Sequence, residues 1–96
     1  MELVGDAADQ TRQALENMRH VLEEANCSFE NVVKTTILMQ DINQLLAIND
    51  VYAEFFPHNQ PARIAFQVAA LPKGALVEIE AIAKVTGVAE VAEVKK

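Results

Sequence analysis

Cysteine is nearly absent from this 96-residue chain: Cys27 stands alone. No disulfide can close within it, and such usage fits a reducing compartment. Long apolar runs are missing too. None approaches the roughly 18–20 residues that cross a bilayer, and the start, "MELVGDAADQ", lacks the basic, apolar and cleavage-site pattern of a secretory signal. No membrane partner is expected. Clustered positive charge is also lacking: eight basic residues against fourteen acidic ones give a net charge of −6, and only Lys95 and Lys96 adjoin. Nucleic acid is not an expected partner, because neutralising phosphates takes grouped Lys and Arg. Glycine is scarce and isolated at positions 5, 74 and 87, which excludes a phosphate-cradling GxGxxG or Walker loop. There is no CxxC and no HExxH. His20 and His58 lie far apart, one on a helix face and one in a loop, so no metal site is expected within one chain.

What is present describes one small globular domain. Hydrophobic residues make up 51% and charged residues 23%, a composition that folds. A domain of this size buries only about 60–70% of its unfolded surface and gains from oligomerisation.

The stretch "DAADQTRQALENMRHVLEEAN" reads as a first helix. Leu15, Met18, Leu22 and Ala25 recur at spacings of three and four, widened by Ala14 and Val21. Asp6 is the expected N-cap, Asp9 adds negative charge to the first turn, and Asn26 is the expected stop. "NVVKTTILM" is β-branched and reads as a strand, with Val33, Thr35, Ile37 and Met39 on one face and Val32, Lys34, Thr36 and Leu38 on the other. "DINQLLAINDVYAEFFP" reads as a second helix opened by an Asp41–Gln44 capping box, buried along Leu45, Ile48, Tyr52 and Phe55, and ended by Pro57. Strand, helix and strand in succession predict a right-handed crossover between parallel strands.

Two more strands follow. In "ARIAFQVAA", Ile64, Phe66 and Val68 are expected beneath the helices, with Arg63, Ala65, Gln67 and Ala69 opposite. "LPKGA" breaks the run. In "LVEIEAIAK", Val77, Ile79, Ala81 and Ala83 share a face, and Glu78, Glu80, Ile82 and Lys84 share the other. The uncovered face is therefore expected to carry Arg63, Gln67, Glu78 and Glu80 together, and to be closed by a second subunit. The domain is expected over residues 1–86, with a frayed tail over 87–96.

Chemistry concentrates in residues 61–83. Arg63 follows Pro61–Ala62, a rigid lead-in to its strand. Its planar guanidinium matches a carboxylate through two parallel hydrogen bonds. The plainer role is an ion pair with a glutamate, and residue logic leaves both readings open. Glu78 and Glu80 read either as a solvated or paired face, or as a carboxylate able to orient or deprotonate a water. Asn49 is a further candidate, although a helical Asn is commonly just surface. His20 reads as a solvated helix residue, Cys27 as a structural or exposed thiol, and Lys34 as a lysine snorkelling from a strand.

The stretches "QTRQALENMRHVLEEANCSFENVVKTTILMQDINQLLAINDVYAEFF" and "PARIAFQVAALPKGALVEIEAIA", with the opening "ELVG", resemble the reactive intermediate deaminase (RidA/YjgF) family over residues 2 to about 85. The resemblance implies an α+β fold of the chorismate-mutase type, a mixed sheet covered on one face by two helices. It implies a homotrimer with sites in clefts between subunits. It implies hydrolysis of enamines and imines such as 2-aminoacrylate to 2-keto acid and ammonia, without cofactor or metal. Carried over by position, Arg63 of "PAR" binds the substrate carboxylate, Glu78 of "VEIE" holds the attacking water, and Asn49 lines the pocket. Ala65 stands where bacterial members often have cysteine, so no thiol contributes. Family members also carry a "GPYSQA"-like and an "SGQ"-like strand absent from this sequence, so the fold is expected to be shortened at its N-terminus. Those strands supply a pocket tyrosine and backbone donors, and their absence is expected to leave a sheet edge that needs pairing. Two alternatives are carried beside the deaminase: a non-catalytic interaction protein that assembles with full-length relatives, and an RNA-directed activity that the charge disfavours. The expected compartment is the cytosol, or the mitochondrion if a targeting segment is missing from this sequence.

Overall fold

The computed structural model describes residues 5–58, 60–85 and, as backbone, 91–95. Helix α1 (Ala7–Glu24) starts where its caps dictate. The Asp9 N–H donates to the Asp6 carboxylate at 2.9 Å, and the Asp6 N–H donates back to Asp9 at 3.3 Å. This reciprocal box satisfies two donors that the helix itself cannot. Leu15, Met18 and Leu22 are buried as expected. Ala25 is not: the helix stops at Glu24 and Ala25 is its exposed C-cap. Asn26 follows at φ +58°, the left-handed conformation that asparagine tolerates and that ends helices.

Strand β1 (Val32–Met39) leads through a 3₁₀ turn (Ile42–Gln44) into α2 (Leu45–Phe55). The Asp41 side chain accepts from the Asn43 N–H at 2.9 Å. The carboxylate is spent on the amide two residues on, so the expected Asp41–Gln44 capping box is replaced by a side-chain cap on the three-residue 3₁₀ turn. Ile48, Tyr52 and Phe55 are buried as expected, together with Val51. Strands β2 (Ala62–Gln67) and β3 (Val77–Lys84) complete the part of the sheet assigned from sequence. Strand β4 (Val91–Lys95) adds a fourth, where a frayed tail was expected over 87–96; residues 86–90 and 96 of that tail lie outside those described. Residues 2–4 of the opening "ELVG" also lie outside.

The sheet order is β2–β1–β3–β4. β1 and β2 run parallel, joined by the α2 crossover, while β3 is antiparallel to β1 and β4 to β3. Both helices pack on one face, over Thr35, Ile37, Met39, Val77, Ile79, Ala81 and Ala83. Among the described residues, no helix is long and apolar enough to cross a membrane.

Two facial assignments differ from expectation. The β1–β3 register shifts between Val32 and Lys34. That bulge inverts the alternation for one step, so Val32 is buried and Val33 is 49% exposed. In β2 the two faces are exchanged. Arg63, Ala65 and Gln67 align with Thr35, Ile37 and Met39, the helix-side residues of β1. Ile64 and Phe66 lie on the open face, 47% and 46% exposed. Alternation separates two sets but does not say which is inward. Here the small Ala65 fits under the helices, and Arg63 and Gln67 find polar partners there.

Candidate active site at the Arg63 edge

Among the described residues, strand β2 is an edge strand with one flank unpaired. Arg63 lies on it, facing α2. Its Nη1 donates to Asn49 Oδ1 at 2.6 Å. Its guanidinium carbon sits 5.1 Å from the centre of the Tyr52 ring, within cation–π range. Asn49 and Tyr52 are three residues apart on α2, so one helical turn presents both to the same cation. The Tyr52 hydroxyl is 2.8 Å from the hydroxyl of Thr35, and Thr35 is the register partner of Arg63 across the β1–β2 pair. The four residues thus close a ring: strand to strand by register, strand to helix by hydroxyl, helix to strand by the arginine.

Burial pushes the Tyr52 phenol above its ordinary pKa; the Thr35 hydrogen bond and the Arg63 charge oppose this with smaller effect. The tyrosine is a neutral platform at neutral pH. Two residues beyond Ala65, Gln67 accepts from the Ile42 N–H at 2.8 Å and ties β2 to the turn that opens α2. Among the described residues Arg63 makes no ion pair. One of its five N–H donors is engaged by Asn49 and one face by Tyr52. The Nε–Nη2 edge is left for an anion, and the charge is not neutralised by either neighbour.

The residues singled out from sequence divide accordingly. Arg63 and Asn49 are in contact, and Ala65 follows on the same face of β2, half-buried against the core. Glu78 and Glu80 are not with them. They lie half-buried on the open face, opposite Leu38 and Thr36, near Phe66 and Ile64. The expectation that Arg63, Gln67, Glu78 and Glu80 share one face is therefore corrected: the arginine and glutamine are on the helix side, the glutamates on the other. The Glu78 side chain makes no hydrogen bond or ion pair among the described residues.

Tyr52 and Thr35 are site residues that the sequence pattern does not mark as such. Tyr52 read as core, which it is, and the spacing Asn49–Tyr52 was the available signal. The remaining candidates are structural or solvated. Cys27 is buried, its thiol 3.5 Å from the Ala25 carbonyl oxygen. His20 is exposed on α1, and the half-buried Lys34 sits on the open face. Arg12 and Glu54 join α1 to α2 through bonds of 2.8 and 2.9 Å. The Arg12 hydrogen bond holds the Glu54 carboxyl below its ordinary value, but the pair is exposed and contributes little to stability. Among the described residues, no cluster of His, Cys, Asp and Glu is arranged to hold a metal.

Comparison with known proteins places these residues in a wider setting. The model of a family described as Endoribonuclease L-PSP matches residues 1–85. The human 2-iminobutanoate/2-iminopropanoate deaminase is 53% identical over 79 residues, which are 82% of this chain and 58% of the human protein. The crystal structure of RidA from an Antarctic Psychrobacter superposes with a TM-score of 0.84 at 40% identity, covering 86% of this chain and 68% of that one. Escherichia coli TdcF, solved with bound serine, gives a TM-score of 0.81 at 40% identity, covering 85% and 67%. This chain thus spans a little over half the length of the human protein it resembles.

Proposed function

The chain belongs to the Endoribonuclease L-PSP family and has the RidA/YjgF fold, and from that membership we propose that it hydrolyses carboxylate-bearing enamines and imines. Substrates of the class of 2-aminoacrylate and its tautomer 2-iminopropanoate yield a 2-keto acid and ammonia. The observation that carries this reading is the state of Arg63. It is held by an amide and an aromatic ring, both neutral, and by no carboxylate among the described residues. A cation so placed is preorganised for an anionic partner rather than neutralised by one. The relative solved with serine carries an amino acid carboxylate, and a net charge of −6 disfavours RNA.

In this mechanism the Nε–Nη2 edge of Arg63 takes the substrate carboxylate, with Asn49 beside it and Ala65 leaving room. The enamine carbon takes up a proton to give the iminium. Water held by Glu78 adds to the iminium carbon as the carboxylate accepts its proton. Glu78 returns that proton to the carbinolamine nitrogen, the C–N bond breaks, and ammonia departs as the hydroxyl loses its proton to solvent and the C=O forms. Hydrolysis of an iminium is not a redox reaction, and no cofactor or metal is part of this mechanism. Arg63 and Glu78 are on opposite faces of one chain and two strands apart. A site using both therefore draws them from different subunits. The exposed Ile64 and Phe66 on the Glu78 face support an assembly, and a homotrimer is the proposed one.

The test is release of ammonia and keto acid from freshly generated 2-aminoacrylate. A rate above the spontaneous one supports the proposal. A folded protein that leaves the rate unchanged contradicts it and favours a non-catalytic subunit, which the same exposed face would serve.

A further inference from the structure

We propose that Tyr52, braced by Thr35, is a positioning residue for Arg63: its ring is the platform that fixes the guanidinium and so sets the affinity for the substrate carboxylate. The proposal rests on the reading of Arg63 as the carboxylate clamp and deepens it.

An arginine on an edge strand starts with wide freedom. Its long side chain has many rotamers, and among the described residues a neighbouring strand lies on one flank only. Arg63 is exposed, yet it is restrained at two points. The Asn49 bond of 2.6 Å fixes one nitrogen, but a single hydrogen bond leaves the guanidinium free to rotate about it. The Tyr52 ring, 5.1 Å from the guanidinium carbon, supplies the second restraint and holds the plane. Tyr52 can serve as a reference point because it is itself immobile: it is 4% exposed, stacked on Phe56 with centroids 4.6 Å apart, and bonded to Thr35. Phe56 in turn meets Phe29 edge-on at 5.0 Å. The aromatic column runs from the core to the arginine and ends there.

The chemistry of the partners matters. A glutamate in place of Tyr52 would hold Arg63 more tightly and would also occupy its charge. A neutral ring orients the cation while leaving the Nε–Nη2 edge and the full positive charge to the substrate. The phenol is neutral at neutral pH, and burial raises its pKa further, so no phenolate competes with the carboxylate.

Two variants separate the ring from its hydroxyl. Tyr52→Phe keeps the ring; Tyr52→Leu removes it. A cation–π contact of this kind corresponds to about a 3- to 30-fold change in affinity. With Tyr52→Leu, KM for the carboxylate-bearing imine is expected to rise by about that factor, while kcat stays within about 3-fold. The dissociation constant for pyruvate, measured by calorimetry, should rise in parallel, and that for methyl pyruvate should not. Tyr52→Phe should restore both. The Arg63 Nε–H resonance gives a direct signature: ring-current-shifted in wild type and Tyr52→Phe, and moved to the free-arginine position in Tyr52→Leu. An Arg63 signal unmoved by Tyr52→Leu, or pyruvate affinity unchanged in that variant, overturns the proposal. Equal loss of pyruvate and methyl pyruvate binding in a folded variant overturns it too, because that is the mark of a merely structural residue. If wild type hydrolyses no imine, the proposed reaction falls, while the resonance and the pyruvate affinity still decide the role of Tyr52.

Discussion

Arg63 and Glu78 stand on opposite faces of one sheet. Arg63 aligns with Thr35 on the helix side, and Glu78 aligns with Leu38 on the open side, with strand β1 between their strands. Neighbouring strands are about 4.8 Å apart, so neither side chain reaches a small substrate held by the other within one chain. The joint role proposed for the two therefore requires a second subunit.

Subunit mixing tests this directly. Arg63→Ala and Glu78→Gln are each expected to be inactive alone. Mixed, dissociated and reassembled, they are expected to recover a measurable part of wild-type imine hydrolysis, since some interfaces then pair an intact Arg63 with an intact Glu78. Mixed assemblies without activity would place the two residues in separate roles.

The interface itself is expected on the open face. Phe66 and Ile64 are 46% and 47% exposed there, and burying the remaining half of such side chains contributes about 1 kcal/mol each. Phe66→Asp should shift the oligomer toward monomer by sedimentation velocity with helical content retained by circular dichroism. An unchanged sedimentation coefficient would locate the assembly surface elsewhere.

Much of this was legible in the sequence. The helices announced themselves through stripes such as Leu15–Met18–Leu22 and through the cap at Asp6, because both signals are local. Strand identities were equally clear from "VVKTTILM" and "VEIEAIA". The inward face of β2 was not. Ile64 and Phe66 are larger and more apolar than Ala65, so hydrophobicity alone pointed them inward. The outcome depended on the parallel register with β1, a long-range pairing that no short window contains. For the same reason the sequence marks Arg63 and Asn49 separately but carries no sign of their contact, and Tyr52 has the spacing of an ordinary core residue. The Val32–Val33 inversion came from a bulge, and two adjacent valines carry no mark of which one it exposes.

Tyr52 is the one tyrosine, and the chain contains no tryptophan, so ultraviolet titration reads it without interference. Its phenol is expected to ionise above the ordinary value of about 10, because burial disfavours the phenolate. The folded value is raised above the unfolded one. The associated stability is therefore complete below about pH 10 and is lost as pH rises toward the folded value. Chemical denaturation across that range should show the loss in wild type and not in Tyr52→Phe. Titration at or below the ordinary value would contradict the buried geometry.

The Thr35–Tyr52 hydroxyl pair should be energetically coupled. Thr35→Val leaves the buried phenol without its partner and is expected to cost about 1–3 kcal/mol. In a double-mutant cycle with Tyr52→Phe, about 0.5–1.5 kcal/mol of that should vanish, the worth of one net hydrogen bond. Additive losses would mean that the 2.8 Å contact carries no energy of its own.

The most direct measurement of the central claim compares wild type with Arg63→Ala in ammonia and keto-acid release from 2-aminoacrylate, alongside their thermal melts. Arg63 is exposed and ion-paired with nothing among the described residues, so its removal should leave the melting temperature nearly unchanged. Two charge-assisted hydrogen bonds to a carboxylate are worth enough for kcat/KM to fall about 100-fold or more. That pairing of lost turnover with retained stability is what the account predicts. Full turnover by a stably folded Arg63→Ala protein would contradict it.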